Sequence, residues 1–310
     1  MQGGKIMKKM FTIIIFLQIL LAQNVFVIDY NNGDLLNIVL NNPEDEILIG
    51  NTMQFLGDAE FGPNNVLYAL PKSNIQFYQI DTTNATMTQI GTSIPLDGHE
   101  WSGLAYDITS GTLYASSTTG NTASGFYTID ISTGTATHIG TTTVAQTVAD
   151  IAFDDNGQMY AYNLSNSIYL IDKTNGSASL LGNTGLNAAG SWHGLDYSFH
   201  DNTMYMSTYN SITWEKTIRT VNLSTGSTTS VGNINHWAGG FAITHPETEQ
   251  ILGDVNGDNM VNVLDVVSII GYILGSTEFN DTEMYLADYN EDGDVNVLDV
   301  VMIVGFIINN

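Results

Sequence analysis

The last sixty residues of the chain contain one short sequence pattern written twice. The first copy, GDVNGDNMVNVLDVVSIIGYILG, begins at Gly253, and the second copy, ADYNEDGDVNVLDVVMIVGFIIN, begins at Ala287. The Asp and Asn residues recur at a constant offset of 288 − 254 = 34 residues. This constant offset indicates a duplication, and it predicts two copies of one structural unit.

Each copy has the spacing of a calcium-binding loop. Ca²⁺ takes six to eight oxygen ligands, and a twelve-residue loop supplies them from positions 1, 3, 5, 7, 9 and 12. The predicted ligands are Asp254, Asn256, Asp258, Met260, Asn262 and Asp265 in the first loop, and Asp288, Asn290, Asp292, Asp294, Asn296 and Asp299 in the second. Position 6 requires a positive φ, which suits Gly293 and, next best, Asn259. An apolar segment follows each loop, so we expect two Ca²⁺ ions, each beside a helix.

The segment before the first loop, THPETEQILG, does not have the pattern of the first helix of an EF-hand, and position 12 is Asp where an EF-hand usually has Glu. Duplicated loop–helix units of this kind resemble the type I dockerin module of polysaccharide-degrading bacteria. The resemblance covers about residues 251–310 and implies a small three-helix fold that docks onto a cohesin module when calcium is bound. In that family, loop positions 10 and 11 help to choose the cohesin. These positions are Val263–Leu264 and Val297–Leu298, so identical pairs would allow docking in two orientations.

Residues 1–22 have the pattern of a secretory signal peptide, with Lys5, Lys8 and Lys9 ahead of the apolar run FTIIIFLQILLA. That run is too short to span a membrane, so we expect a secreted, extracellular protein, either free or associated with a cell surface. The net charge of −25 argues against nucleic acid or anionic membranes as partners. The chain has no Cys, so packing and metal binding must stabilise it.

Residues 23–252 repeat a unit of 42–50 residues that contains four short strands. An "LYA"-like strand recurs at Leu67, Leu113, Met159 and Met204, and Thr-Gly or Asn-Gly turns recur at Thr133, Asn175 and Thr225. This pattern predicts an all-β fold, a β-propeller of about five four-stranded blades, followed by the small α-helical calcium module at 253–310. An open β-sandwich is the alternative.

The two ends of the repeat region predict a composite blade that closes the ring. The segment from Val25 has the pattern of third and fourth strands, and the segment from Phe241 has that of first and second strands. Four whole blades and this composite blade make five. A sixth blade would require degenerate strands in 41–60.

Loops that lead into the innermost strands carry aromatic residues at equivalent places in three blades. The candidate ligand-binding residues are His99, Trp101, Trp192, His193, His236 and Trp237. Aromatic faces beside hydrogen-bonding groups suit sugar rings, so polysaccharide is a candidate ligand. The alternative is that these rings plug the channel and act as wedges packed between the blades. A large loss of stability in Trp101→Ala would indicate a wedge.

Three carboxylates, Asp58 (or Glu60), Glu100 and Asp150, are weak candidates for catalysis because glycosidases use paired carboxylates. No catalytic motif surrounds them, and structural carboxylates are the better interpretation. Three functions remain open. The first is a non-catalytic calcium-binding protein whose propeller binds glycan or protein and whose dockerin attaches it to an extracellular polysaccharide-degrading or cell-surface assembly. The second is a dockerin-borne glycoside hydrolase or lyase in polysaccharide catabolism. The third is a structural surface protein with a calcium-stabilised C-terminus.

Overall fold

The computed structural model describes residues 24–72, 74–120, 122–187, 193–246, 251–257 and 260–309. Two compact units are present. One contains residues 24–61 and 67–244, and the other contains residues 62–66 and 245–309. The predicted signal peptide lies outside the described residues.

The described residues of the first unit form twenty strands. They are β1 (Asn24–Asp29), β2 (Asp34–Val39), β3 (Asn42–Asn51), β4 (Leu56–Phe61), β5 (Leu67–Pro71), β6 (Gln76–Ile80), β7 (Met87–Thr92), β8 (Glu100–Asp107), β9 (Thr112–Thr118), β10 (Ser124–Ile129), β11 (Ala136–Thr142), β12 (Val148–Phe153), β13 (Met159–Asn163), β14 (Ser167–Ile171), β15 (Ala178–Asn183), β16 (Gly194–Ser198), β17 (Thr203–Tyr209), β18 (Lys216–Val221), β19 (Thr228–Asn233) and β20 (Ala238–Ile243).

These strands form five antiparallel four-stranded sheets, which confirms the five-bladed propeller and makes the sandwich and the sixth blade wrong. The composite blade has the order β20-β1-β2-β3, so the N-terminal segment supplies three strands and the C-terminal segment supplies one. The expected division into two and two was therefore wrong. Residues 42–51, which could have hidden a degenerate blade, form the long outer strand of the composite blade.

The innermost strands β4, β8, β12, β16 and β20 contact one another around the ring, and they are almost entirely buried. Apolar residues of adjacent blades fill the spaces between sheets, as in the cluster of Phe126, Ile151, Phe153 and Met159. A second contact repeats near the outer strands. A Cβ atom added to Gly91, Gly140 or Gly182 would overlap the backbone of the next blade's turn at Thr133, Asn175 or Thr225. The recurrent "IG" at the end of the fourth strand therefore allows neighbouring blades to approach closely.

The described residues of the second unit form three α-helices, α1 (Val263–Ile273), α2 (Asp281–Ala287) and α3 (Val297–Asn309), and a 3-10 turn at Pro63–Asn65. Their apolar core is built from Val255, Val266, Ile269, Leu286 and Ile303. Asn262 caps α1 by accepting hydrogen bonds from helix N–H groups, with Asp265 returning the bond in a capping box. The two duplicated segments thus each fold as a loop followed by a helix, with the short α2 between them.

Candidate functional site

The second duplicated loop is closed by carboxylates at its two ends. Asp288 accepts hydrogen bonds from the backbone N–H of Asp292 (3.0 Å) and of Gly293 (2.8 Å). At the other end, Asp299 is fully buried and accepts from the backbone N–H of Asn290 (3.1 Å) and of Asn296 (2.8 Å). Gly293 has φ = +92°, the conformation expected at position 6.

The first loop repeats this arrangement 34 residues earlier. The buried Asp265 accepts from the N–H of Asn256 (3.1 Å) and of Asn262 (2.8 Å), as Asp299 does in the second loop. Asp254 is also buried and accepts from the N–H of Gly257 (2.9 Å). The predicted ligand Asp258 and the position-6 residue Asn259 lie outside the described residues. Both loops therefore gather carboxylate and amide oxygens, the ligands that suit Ca²⁺.

The helices that follow the loops expose matching apolar side chains. Val263 is 62% exposed and its counterpart Val297 is 61% exposed, while Leu264 and Leu298 are 59% and 60% exposed. Val267 and Val301 continue the two faces one turn further along the helices. Each duplicated unit thus presents the same apolar patch to its surroundings.

At the propeller, the candidate ligand residues lie at the end where the innermost strands begin, which we call the entry end. Trp101 and His193 are buried there, with 1% and 3% of their surface exposed. His99, His236 and Trp237 are half-buried, and Trp192 lies outside the described residues. The His236 ring nitrogens lie 2.6 Å from an Asp29 oxygen and 3.2 Å from a Glu46 oxygen, which links the last loop to the N-terminal strands.

Residues 252–307 match the model of the Dockerin type I domain family. The C-terminal module is a type I dockerin. This confirms the resemblance on which the sequence interpretation depended, and it implies that the dockerin binds calcium and has a cohesin partner. Among the described residues, no helix, those of the dockerin included, is long and apolar enough to cross a membrane.

The remaining comparisons concern the fold alone. No curated protein matches the chain. One chain of a crystal structure of the nidogen/laminin complex is 11% identical to this chain. The match covers 71% of this chain and 98% of that chain, with a TM-score of 0.47. A putative 6-phosphogluconolactonase from Bacteroides uniformis is 10% identical (68% and 82% covered, TM-score 0.41). A catalytically inactive virginiamycin B lyase from Staphylococcus aureus with quinupristin is 14% identical (66% and 68% covered, TM-score 0.42). At these identities and scores, none of them indicates an activity for the chain.

The weak catalytic candidates take up separate places in the structure. Glu100 is exposed at the start of β8, whereas Asp58 and Asp150 are 3% and 0% exposed on β4 and β12. Asp58 accepts from the N–H of Leu104 on the next blade (2.8 Å), and Asp150 accepts from the N–H of Leu195 on the blade after its own (2.5 Å). These two carboxylates therefore join neighbouring innermost strands.

Two further acids lie on the same innermost strands. Asp196 accepts from the N–H of Ile243 (2.6 Å), so it joins β16 to β20 as the other pairs join their blades. Burial raises the pKa of Asp58 to about 7 and the pKa of Asp150, Glu60 and Asp196 well above the usual range. Repulsion by the Asp58 carboxylate adds to the effect of burial in raising the pKa of Asp150. Asp58, Asp150 and Asp196 are thus buried carboxyls that join neighbouring blades, and burial favours their protonated form.

Trp101→Ala is expected to destabilise the propeller by about 3–5 kcal/mol, because it removes a large buried side chain. The indole packs edge-on against Tyr127 at 4.9 Å, and its Nε1 donates to the carbonyl oxygen of Ser93 at 3.2 Å. Thermal unfolding followed by tryptophan fluorescence measures the loss, and Trp214→Ala at a 68% exposed side chain is the matched control. Equal melting temperatures for the two variants would contradict the wedging role of Trp101.

Sequence reasoning missed the most exposed tryptophan of the described residues, Trp214, because it lies in the turn between β17 and β18 rather than before an innermost strand. Its ring contacts Tyr209 at 5.9 Å, and Tyr209 contacts Trp237 at 5.9 Å. The neighbouring Tyr30 donates its N–H to the Trp237 carbonyl (2.8 Å) and contacts Phe55 at 5.9 Å. We call these five residues the aromatic strip. Antiparallel pairing places these loops at the same end of their blades, and the order of the blades makes the loops of three blades neighbours. No local sequence pattern indicates this proximity.

Proposed function

We propose that the chain is an exported, calcium-binding protein that its dockerin attaches to a cohesin-bearing extracellular assembly, and whose propeller binds glycan at the entry end. The observation that carries the attachment is the pair of matched apolar patches on α1 and α3. Exposed apolar patches on a small acidic module are typical of a docking surface. In this proposal Val263, Leu264, Val297 and Leu298 contact the cohesin, and either helix can dock.

Two Ca²⁺ ions belong to this proposal, one in each loop. The ligands are Asp254, Asn256, Asp258, Met260, Asn262 and Asp265 for one ion, and Asp288, Asn290, Asp292, Asp294, Asn296 and Asp299 for the other. Asp265 and Asp299 accept hydrogen bonds from equivalent N–H groups of their loops, which supports two equivalent sites. Bound calcium would fix each loop and hence the direction of the helix that carries the docking patch.

Charge adds a condition on the partner. Residues 251–310 contain eleven Asp and Glu and no Lys, Arg or His. Even with two Ca²⁺ bound the dockerin stays strongly negative, so a cohesin with a basic rim around an apolar centre fits it. Association should then slow as salt rises, because screening weakens long-range attraction.

Calorimetric titration of the secreted chain, residues 23–310, with a set of purified type I cohesins tests the attachment. We expect a one-to-one complex in millimolar calcium and none in excess EGTA. Val263→Asp or Val297→Asp alone should leave binding nearly intact because the other patch remains, and the double variant should lose it. An acidic residue in the first turn of a helix favours the helix, so these variants should keep their fold. Binding that persists in the double variant or in EGTA would refute this docking surface.

A further inference from the structure

The turn between β17 and β18 has the same backbone as four turns between third and fourth strands. In each, the N–H of the fifth residue donates to the carbonyl of the first at 2.7–2.8 Å. In each, the first side chain also accepts the N–H of the third residue at 2.8–2.9 Å. The first residues are Asp81, Asp130, Asp172, Asn222 and Asn210. The five turns are therefore one structure used at different places.

The fifth residue of this turn has a positive φ. Three of the five turns place glycine there, Gly134, Gly176 and Gly226, with φ of +73°, +72° and +73°. The turn from Asp81 places the small, buried Ala85 there at φ = +63°. The turn between β17 and β18 has the large Trp214 at φ = +65°. A bulky side chain in this left-handed region is a conformational outlier, and such outliers concentrate at binding sites.

Packing does not explain the tryptophan. Its side chain is 68% exposed, and its described ring contact is with Tyr209. Seven other large apolar side chains at the entry end are also exposed, namely Met53, Phe55, Ile75, Ile94, Leu96, Val144 and Ile212. The strained residue thus stands in an apolar surface, at the end of the aromatic strip.

Two lysines lie along the same strip, in a chain whose net charge is −25. The described residues contain four Lys or Arg, and two of them, Lys72 and Lys216, lie over rings of the strip, 6.0 Å from the Tyr30 centroid and 5.3 Å from the Trp237 centroid. Lys216 donates to the Asn235 carbonyl at 2.6 Å. Neither an indole ring nor a carbonyl carries a net charge, so these contacts leave the ammonium charge of Lys216 able to attract an anion.

We infer that the aromatic strip binds an acidic polysaccharide, with Trp214 stacking on a sugar ring and Lys216 attracting a uronate carboxylate. This inference rests on the proposed function and narrows its ligand from glycans in general to glycans that carry carboxylates. Sugar rings present C–H groups to the face of an aromatic ring, and a chain of several sugars matches the length of a strip that spans three blades.

Affinity electrophoresis of the secreted chain tests the inference, with either polygalacturonate or its methyl-esterified form in the gel. The two polymers share a backbone and differ in charge. We expect stronger retardation by polygalacturonate, and a loss of about tenfold or more in affinity for it in Trp214→Gly. Lys216→Met should lower the affinity for polygalacturonate about two- to fivefold and leave the esterified form unaffected.

The melting temperature separates binding from folding. Trp214→Gly relaxes the turn, so it should melt at the same temperature as the parent or up to ~4 °C higher. Asn202→Gly is the matched control, since it relaxes another exposed left-handed residue (φ = +54°) and should keep full retardation. Both glycine variants keep the parent's charge. If calcium ions that bridge protein carboxylates to the polymer cause the retardation, it would persist in both variants, and that result would count against the inference.

Retardation of Trp214→Gly equal to that of the parent would overturn the inference and leave glycan binding intact. Equal retardation of the parent by the two polymers would overturn its acidic class. Glycan binding itself would be refuted if the parent is retarded neither by these two polymers nor by xylan, galactomannan or soluble cellulose derivatives. The cohesin titration would still stand as the separate test of attachment.

Discussion

Excess EGTA is expected to remove most of the helical circular dichroism of the secreted chain while the propeller remains folded. Among the described residues, the α-helices are α1, α2 and α3, and all three belong to the dockerin. All four tryptophans of the chain lie between residues 101 and 237, in the propeller. Ellipticity at 222 nm therefore reports on the dockerin, and tryptophan fluorescence reports on the propeller.

The physical reason is the charge of the dockerin. Its eleven acids have no basic residue among residues 251–310 to offset them, and each loop folds several of those acids towards one point. Without a cation, repulsion opposes the fold, so metal binding supplies folding free energy. At free calcium a hundred times the dissociation constant, each bound ion adds about 2.7 kcal/mol.

Two variants, each of which removes one carboxylate charge, test whether the position of that charge matters. Asp299→Asn removes a buried loop carboxylate, and Glu278→Gln removes an exposed one outside the loops. We expect Asp299→Asn to bind one calcium fewer and to lose helicity at calcium concentrations where the parent is folded, and Glu278→Gln to match the parent. Unchanged helicity in EGTA, or two ions bound by Asp299→Asn, would contradict a fold that depends on calcium in both loops.

The features that the sequence predicted correctly depend on residues close together in the chain. The dockerin consists of two short loop–helix segments, so the register of Asp254 with Asp288 was visible directly. A propeller repeat is also local, since each blade pairs consecutive strands. The "LYA" strands and the Thr-Gly turns therefore predicted five blades without any knowledge of long-range contacts.

The errors arose where distant segments meet. The division of the composite blade depends on how β20 pairs with β1, more than 200 residues away, and strand pattern alone does not determine it. Burial caused the second error. Trp101 and Trp214 are the same residue type at the same end of the propeller, yet one is 1% and the other 68% exposed. Only the packing of neighbouring blades separates a wedge from an exposed ring.

The propeller should be more stable at pH 5 than at pH 8, the reverse of a protein whose acids form ion pairs. Burial raises the pKa of Asp58 from 3.8 to about 7 and raises the pKa of Asp150, Glu60 and Asp196 in the same direction. Between pH 4 and pH 7 the folded state therefore holds more protons than the unfolded chain. The free energy of unfolding is then highest below about pH 4 for these groups and falls as the pH rises through their folded pKa values.

The shift of Asp58 alone corresponds to a loss on the order of 4 kcal/mol between pH 4 and pH 8. Acids with a lowered pKa act in a different range. Hydrogen bonds hold the pKa of Asp81, Asp130 and Asp172 below the usual value, so the stability they contribute is lost only below about pH 4. They do not oppose the change between pH 5 and pH 8.

Urea unfolding followed by tryptophan fluorescence, at several pH values between 5 and 8 in constant calcium, measures this dependence on the propeller alone. Asp150→Asn should weaken the dependence on pH, because the amide keeps the side-chain volume and an oxygen acceptor but carries no ionisable proton. Asp97→Asn, at an exposed acid of the entry end, should leave it as in the parent. Stability that rises from pH 5 to pH 8 would show that these acids are ionised in the folded protein. An ionised carboxylate could serve as the base or nucleophile of a glycosidase, whose second carboxyl must stay protonated as the acid, so this outcome would return one of Asp58 and Asp150 to the glycosidase hypothesis.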